Sequence, residues 1–304
     1  MTQPVSTPAE LDRRFTIPGR ARIIADPAGV AAVRITTEKC AGEICLHGAQ
    51  VISWKPAGYE DVIFLSSKAT FAEGKAIRGG IPICFPWFRA KSDDAKAPAH
   101  GLARTRLWTL ESLQERVGDV LVTMSTESDD HTRKWWPHEF RAHLIATFGD
   151  ALRLEFAVTN TGATAFRFEE ALHTYYRVGY IAQAGLAGLE GATFLDNTDG
   201  NRASPQSGDV AIAKATDRAY LNTEHALELF DTGLRRRVHI AKKNSASTVV
   251  WNPWSEAAGK MSDMGEGEWR NMFCAEAGNI LANAVELAPG ETHTIGVTST
   301  VSAL

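Results

Sequence analysis

The chain has 304 residues, 44% of them hydrophobic and 22% charged, with 25 glycines and 12 prolines spread along it, a globular composition that can bury a sizeable core. Its formal net charge of −4 lacks the basic surplus of a nucleic-acid binder, so an anionic ligand would have to be recruited by local arginines. No run of about 18 apolar residues is present to cross a membrane as a helix.

In chain order, the N-terminus (MTQPVSTPAELDRRF) lacks the apolar stretch of a secretory leader, so residues 1–25 read as an N-terminal extension and the expected location is the cytoplasm. Residues 26–304 read as one domain. Cys40, Cys45, Cys84 and Cys274 form no CxxC pair, which predicts free thiols with neither a disulfide framework nor a zinc site. Short runs of period two follow at Val33 to Thr36, Val51 to Trp54, Leu121 to Ser125 and His143 to Phe148. The clearest is Ala151 to Thr159, where Leu152, Leu154, Phe156 and Val158 alternate with Arg153, Glu155 and Ala157, the pattern of a half-buried strand. The turn Asn160-Thr161-Gly162 then leads into a second strand pattern, Phe166 to Val178. Asp196 to Ser207 reads as an exposed loop or hairpin tip, Arg236 to Ala241 and Thr292 to Ser299 as further strands, and Glu256 to Trp269, interrupted by three glycines, as a loop or short helix. With no long amphipathic helix competing, the expected fold is all-β, a large antiparallel β-sandwich.

Three segments could carry chemistry. In Ile77 to Phe88 (IRGGIPICFPWF), the two glycines permit close backbone approach, and Phe85, Trp87 and Phe88 on a proline-stiffened loop offer flat walls for the apolar faces of a sugar ring. Arg78, with Arg104 of His100-Gly101-Leu102-Ala103-Arg104, supplies planar cationic forks suited to a phosphate, although arginines so spaced are more often surface groups. In Phe166 to Val178, strand alternation puts Arg167, Glu169, Ala171, His173, Tyr175 and Arg177 on one face; a histidine there is either a hydrogen-bonded bystander or an acid–base group. Glu276 sits among Phe273, Cys274, Ala275 and Ala277, where it either ends a strand facing water or acts as a desolvated general base. His138 and His143 lie on opposite strand faces and no HxH or HExxH spacing occurs, so no metal is expected; nor is there a GxSxG elbow for a serine hydrolase.

Taken in order, Ile77-Arg78-Gly79-Gly80-Ile81-Pro82 with Phe85-Pro86, then HGLAR at 100–104, Ala171-Leu172-His173-Thr174-Tyr175, Thr216-Asp217-Arg218-Ala219-Tyr220, Val250-Trp251-Asn252-Pro253-Trp254 and Cys274-Ala275-Glu276 resemble the glucose-6-phosphate 1-epimerases (hexose-6-phosphate mutarotases) of the aldose 1-epimerase superfamily. The resemblance runs from roughly residue 30 to 300. It implies a galactose mutarotase-like supersandwich and an isomerase that interconverts the α and β anomers of a hexose 6-phosphate without a cofactor. His173 would be the acid and Glu276 the base. Arg78, Arg104, Asp217 and His100 would bind substrate, and Phe85 and Trp87 are added as sugar walls. Ala99 stands where some relatives carry a polar contact. His173 would be charged in the complex, favoured by a carboxylate such as Glu169. A mutarotase of unphosphorylated aldoses and a non-catalytic carbohydrate-binding module are the alternatives; a monomer without nucleic-acid or membrane partners is expected.

Overall fold

The computed structural model describes residues 6–304. Every pair of named strands is antiparallel. Ala21–Ala25, Ala31–Thr36, Cys40–Cys45 and Gln50–Pro56 form a four-stranded sheet in that order. A nine-stranded sheet includes Thr109–Arg116, Asp119–Glu127, Phe140–Phe148, Ala151–Asn160 and the long C-terminal strand Thr292–Ala303. An eight-stranded sheet is built around Met272–Asn279, which pairs with Ser247–Asn252 on one side and with Glu170–Leu172 and Tyr175–Arg177 on the other. The all-β expectation therefore holds, and no helix among the described residues is long and apolar enough to cross a membrane.

Alternation decides which face each strand buries. Along Asp119–Glu127 the buried residues Val120, Val122, Met124 and Thr126 alternate with partly exposed ones, and Ala151–Asn160 follows the same rule as the sequence pattern requires. Met272–Asn279 does not alternate, because it lies mid-sheet with both faces covered.

Two expectations about the elements need correction, and one helix is added to them. Residues 1–5 of the proposed extension lie outside the described residues, but Ala21–Ala25 pairs in register with Ala31–Ile35 and so belongs to the sheet. Pro8–Phe15 is a helix, begun by a capping box between Thr7 and Glu10 with proline in its first turn. Phe166 to Val178 is three short strands, Phe166–Phe168, Glu170–Leu172 and Tyr175–Arg177, because the chain changes partners at Glu169, from Val285–Leu287 to Met272–Asn279, and the ladder is then interrupted at His173-Thr174, where Thr174 N–H donates to Leu172 O, before the same pairing resumes in register.

Phe85 is the hub of the core. Its ring is only 1% exposed and meets Trp136, Phe140, Phe156 and Phe168 edge-on, with centroids 5.1–5.7 Å away. It is therefore a packing residue and not a sugar wall. Trp87 is likewise buried, its indole N–H donating to the Pro98 carbonyl at 2.9 Å. Phe85→Ala should lower the unfolding free energy by about 3–5 kcal/mol, the usual cost of deleting a core aromatic. Urea denaturation checks this, and an unchanged midpoint would return Phe85 to the ligand wall.

Candidate active site

The eight-stranded sheet places the candidate residues in two rungs. Register sets Asp217 opposite Trp251, Trp251 opposite Cys274, and Cys274 opposite Tyr175, so these four share one face in one row. The next row holds Ala219, Val249 and Glu276. Leu172 pairs with Ala277 and Tyr175 with Cys274, so the intervening gap brings His173 opposite Glu276. On the strand's other edge the His173 amide donates to Pro82 O, continuing the pairing with Ile83–Cys84. The imidazole Nδ1 lies 3.2 Å from Glu276 Oε1. The contact is out of line for a hydrogen bond, and among the described residues both Nδ1 and Glu276 Oε2 are buried without a partner. The His173 ring stacks on Tyr175, with centroids 4.7 Å apart and planes 10° from parallel, and meets Trp251 edge-on.

Two loop systems close the pocket over this face. Gln50 Nε2 donates to the carbonyls of Ile77 and Gly79, and Ser66 N–H donates to the carbonyl of Arg78, which pins the backbone on both sides of that arginine. A Cβ on Gly79 would lie 2.5 Å from Phe64 O, and one on Gly80 2.4 Å from Val51 O, so both glycines are required by close approach, as the RGG spacing suggested. In the second system Leu102 N–H donates to Phe85 O, His100 N–H to Arg89 O, and Arg89 N–H to His100 Nδ1. Residues 85–89 and 100–102 are thereby zipped together. A Cβ on Gly101 would fall 2.0 Å from Phe85 O, so nothing larger fits there.

The resulting cavity of about 280 Å³ is lined by Arg78, Arg104, His100, His173, Asp217 and Glu276, bringing together the charged and titratable residues expected of the site. Phe88 lines it where Phe85 and Trp87 were expected, the side chains of those two being taken up by the core. Arg89, Tyr175, Trp251 and Met261 also line it. Tyr175 and Trp251 fell inside quoted motifs without a role. Arg89 follows the aromatic cluster directly, and only its position in the pocket marks it. Glu169 does not face His173: its carboxylate accepts from Phe88 N–H and Leu281 N–H and braces the loop, so the acid beside the histidine is Glu276.

Electrostatics follow from burial and three cations. Asp217 accepts from Arg89 Nη2 and from Asn197 Nδ2. Arg78 pairs with Asp263 at 3.2 Å and donates to the Tyr175 hydroxyl. Among the described residues Arg104 has no carboxylate partner; it donates to Ala99 O at 2.8 Å, and its Nε is buried without one. Burial, then His100, Arg104 and Arg78, drives the His173 pKa well below the ordinary value. Burial and the Asp217 charge drive Glu276 well above its own, against the pull of Arg89 and Arg104. Both shifts favour the uncharged forms, neutral imidazole and protonated carboxyl. Cys274 comes within 4.8 Å of both as a third potential metal donor, a convergence that sequence spacing could not reveal. Burial holds its thiol well above the usual range, and the side chain packs as a small apolar group.

A larger groove of about 650 Å³ crosses the outer face of the nine-stranded sheet, but its charges are already paired, Arg106 with Asp129 and Arg141 with Glu127. It offers no uncompensated arginine to a ligand.

Burial and the arginines also push His100 down to about 3, and the Arg89 N–H on Nδ1 leaves its ring proton on Nε2. Long-range ¹H–¹⁵N NMR should find this ring neutral and Nε2-protonated at pH 5; a doubly protonated ring would contradict it. Stability should fall as pH drops below 6.5, because the unfolded histidine takes a proton that the folded ring refuses until about 3. Equilibrium unfolding at stepped pH checks the sign.

The comparisons with known proteins agree on one relationship. Residues 31–299 match the family model described as aldose 1-epimerase. A protein of Cenchrus ciliaris named "Putative glucose-6-phosphate 1-epimerase" is 32% identical over 282 residues, 89% of this chain and 84% of the relative. One of the same name from Escherichia coli K12 is 36% identical over 232 residues, 76% and 77% of the two chains. Among solved structures, one titled as a putative mutarotase from Salmonella typhimurium superimposes with a TM-score of 0.89 at 27% identity, covering 95% of this chain and 96% of that one. A galactose mutarotase-like protein of Clostridium acetobutylicum, 14% identical with a TM-score of 0.73 and coverage of 93% and 98%, shares the fold.

Proposed function

The chain belongs to the aldose 1-epimerase family, and from that premise we propose that it interconverts the α and β anomers of a hexose 6-phosphate, glucose 6-phosphate foremost, with His173 as acid and Glu276 as base. The observation that carries this reading is the buried His173–Glu276 pair, opposed across a gap in the sheet and set in a pocket with three arginines.

Anomer exchange needs one proton delivered to the ring oxygen and one taken from the C1 hydroxyl. The pair holds the right number. Neutral imidazole plus carboxylic acid has the same proton count as imidazolium plus carboxylate, and a proton crossing between them converts the resting state into the working one. Arg104 and Arg78 disfavour the imidazolium in the empty site. A phosphate dianion beside them offsets that field, so substrate binding itself favours the charged pair. His173 then protonates the ring oxygen while Glu276 accepts the C1 hydroxyl proton, and the C1–O5 bond opens to the aldehyde. Rotation about C1–C2 presents the other carbonyl face, and closure returns both protons.

Arg104, the cation of the three without a carboxylate partner, takes the phosphate, with the remaining N–H groups of Arg78 assisting. Asp217, oriented by Arg89 and Asn197, and neutral His100 contact the sugar hydroxyls, and Phe88 and Trp251 flank the ring. These steps need no electron sink.

Exchange NMR of the anomeric protons of glucose 6-phosphate, with free glucose and galactose as comparators, tests the proposal. Acceleration confined to the phosphosugar is expected. Equal acceleration of free sugars would make this an aldose mutarotase, and none with any sugar would leave a binding module. His173→Asn and Glu276→Gln should each slow exchange by about 10²–10⁴-fold with the fold intact by circular dichroism. Arg104→Ala should raise KM for the phosphosugar by about one to two orders of magnitude, the loss of a charge-assisted contact of about 1.5–3 kcal/mol. An unchanged KM would remove Arg104 from the phosphate site.

A further inference from the structure

Asp263 stands on the loop between the helix Trp254–Gly259 and the turn Glu268–Asn271, away from every strand that builds the pocket. Its carboxylate Oδ2 nevertheless lies 3.2 Å from both Nε and Nη2 of Arg78, while Tyr175 Oη accepts from Nη1 at 3.1 Å. A guanidinium has five N–H donors. With Nε and one hydrogen of Nη1 engaged and Nη2 held at ion-pair distance, one hydrogen on Nη1 and two on Nη2 remain for a substrate.

The loop that carries Asp263 is itself anchored. Glu268 accepts from Ser66 Oγ at 2.8 Å and from Ser67 N–H at 3.0 Å, and Gly265 N–H donates both to Glu268 and to Ser66 Oγ. A Cβ on Gly265 would lie 2.3 Å from the Glu268 carboxyl carbon, so a side chain there would push that carboxylate out of these bonds. Ser66 is also the residue whose N–H holds the Arg78 carbonyl. The backbone of Arg78 and the carboxylate that grips its side chain are thus referenced to one residue, a closed circuit of hydrogen bonds and not a loose surface ion pair.

We infer that Asp263 is a positioning residue for the reaction: it fixes the Arg78 guanidinium edge-on so that its outer N–H groups meet the bound phosphosugar in one orientation. The inference rests on the proposed function for its kinetic consequence, but the clamp itself is a property of the free protein. The arrangement is also specific in charge and length. Asp263→Asn would keep an acceptor oxygen without the charge, and Asp263→Glu would overreach by a methylene.

A double-mutant cycle with an independent spectroscopic readout tests it. Asp263→Ala should raise KM for glucose 6-phosphate about tenfold, with most of the effect in KM and less in kcat. In an Arg78→Ala background the same substitution should change KM by less than about twofold, since the group it acts through is gone. Asp263→Asn should fall between Asp263→Ala and wild type. The same factor in both backgrounds, or no change in either, would overturn the inference. In the ligand-free protein, the Nε–Hε resonance of Arg78, identified by its loss in Arg78→Lys, should exchange slowly with water in wild type and rapidly in Asp263→Ala. Equal exchange in the two would refute the clamp whatever the kinetics show. A clear difference, in a protein that leaves anomer exchange unaccelerated, would uphold the clamp and sink the proposed activity instead.

Discussion

A carboxyl group shut inside a β-sheet is the constraint on which the rest of the site depends. Glu276 is 1% exposed on a strand covered on both faces, and a lone carboxylate there would forfeit its hydration without return. The fold answers by opposing it to His173 at the point where the neighbouring strand breaks its ladder. Two groups that are each unfavourable as ions can remain neutral together, and together they can exchange a proton that neither could give up to water. On its other edge the same segment stays in register, His173 N–H donating to Pro82 O and Tyr175 N–H to Gly80 O, so the strand that opposes Glu276 also supports the loop carrying the two glycines after Arg78.

Around this pair the charges are arranged in graded degrees of compensation. Arg89 is matched by Asp217, Arg78 by Asp263, and Arg104 by no carboxylate among the described residues. The gradient matters more than the count of cations. Fully compensated arginines orient, whereas an uncompensated one attracts, so an incoming anion has a preferred end of the pocket before any sugar contact forms. The field of Arg104 and Arg78 that disfavours the imidazolium is one that an anion bound beside them would offset.

Much of this was legible in the chain, for identifiable reasons. The strands Asp119–Glu127 and Ala151–Asn160 each bury one face, and period-two alternation reports that directly. The glycines at 79 and 80 announced close approach, and the blocks that carry Arg78, His100, Arg104, His173, Asp217 and Glu276 meet in one cavity. What escaped the sequence depends on register or on packing depth. The opposition of His173 to Glu276 is set by a pairing between distant segments that neither segment encodes alone. Phe85, Trp87 and Phe88 are chemically alike, and only the tertiary fold decides that Phe85 is the core hub while Phe88 lines the cavity. Glu169 shares the expected strand face with His173 but is diverted to loop amides because the strand breaks beside it. The helix Pro8–Phe15 did carry its own signal, a threonine followed three residues later by glutamate, in a stretch read only for the absence of a leader.

The zipper between residues 85–89 and 100–102 has an architectural consequence. Both ends of the intervening segment are fixed by hydrogen bonds, and Pro98 and Ala99 hold Trp87 and Arg104 through their carbonyls, so the pocket wall depends little on the exposed residues before them. That segment begins beside Arg89 and ends at Ala99, both at the pocket, and its middle residues, including Asp93, Ala95 and Lys96, are exposed. It is a place where length and composition can drift, or be redrawn, at little cost to the site. A fluorophore attached there would stand at the mouth of the cavity and turn its occupancy into an optical signal while leaving His173 and Glu276 untouched.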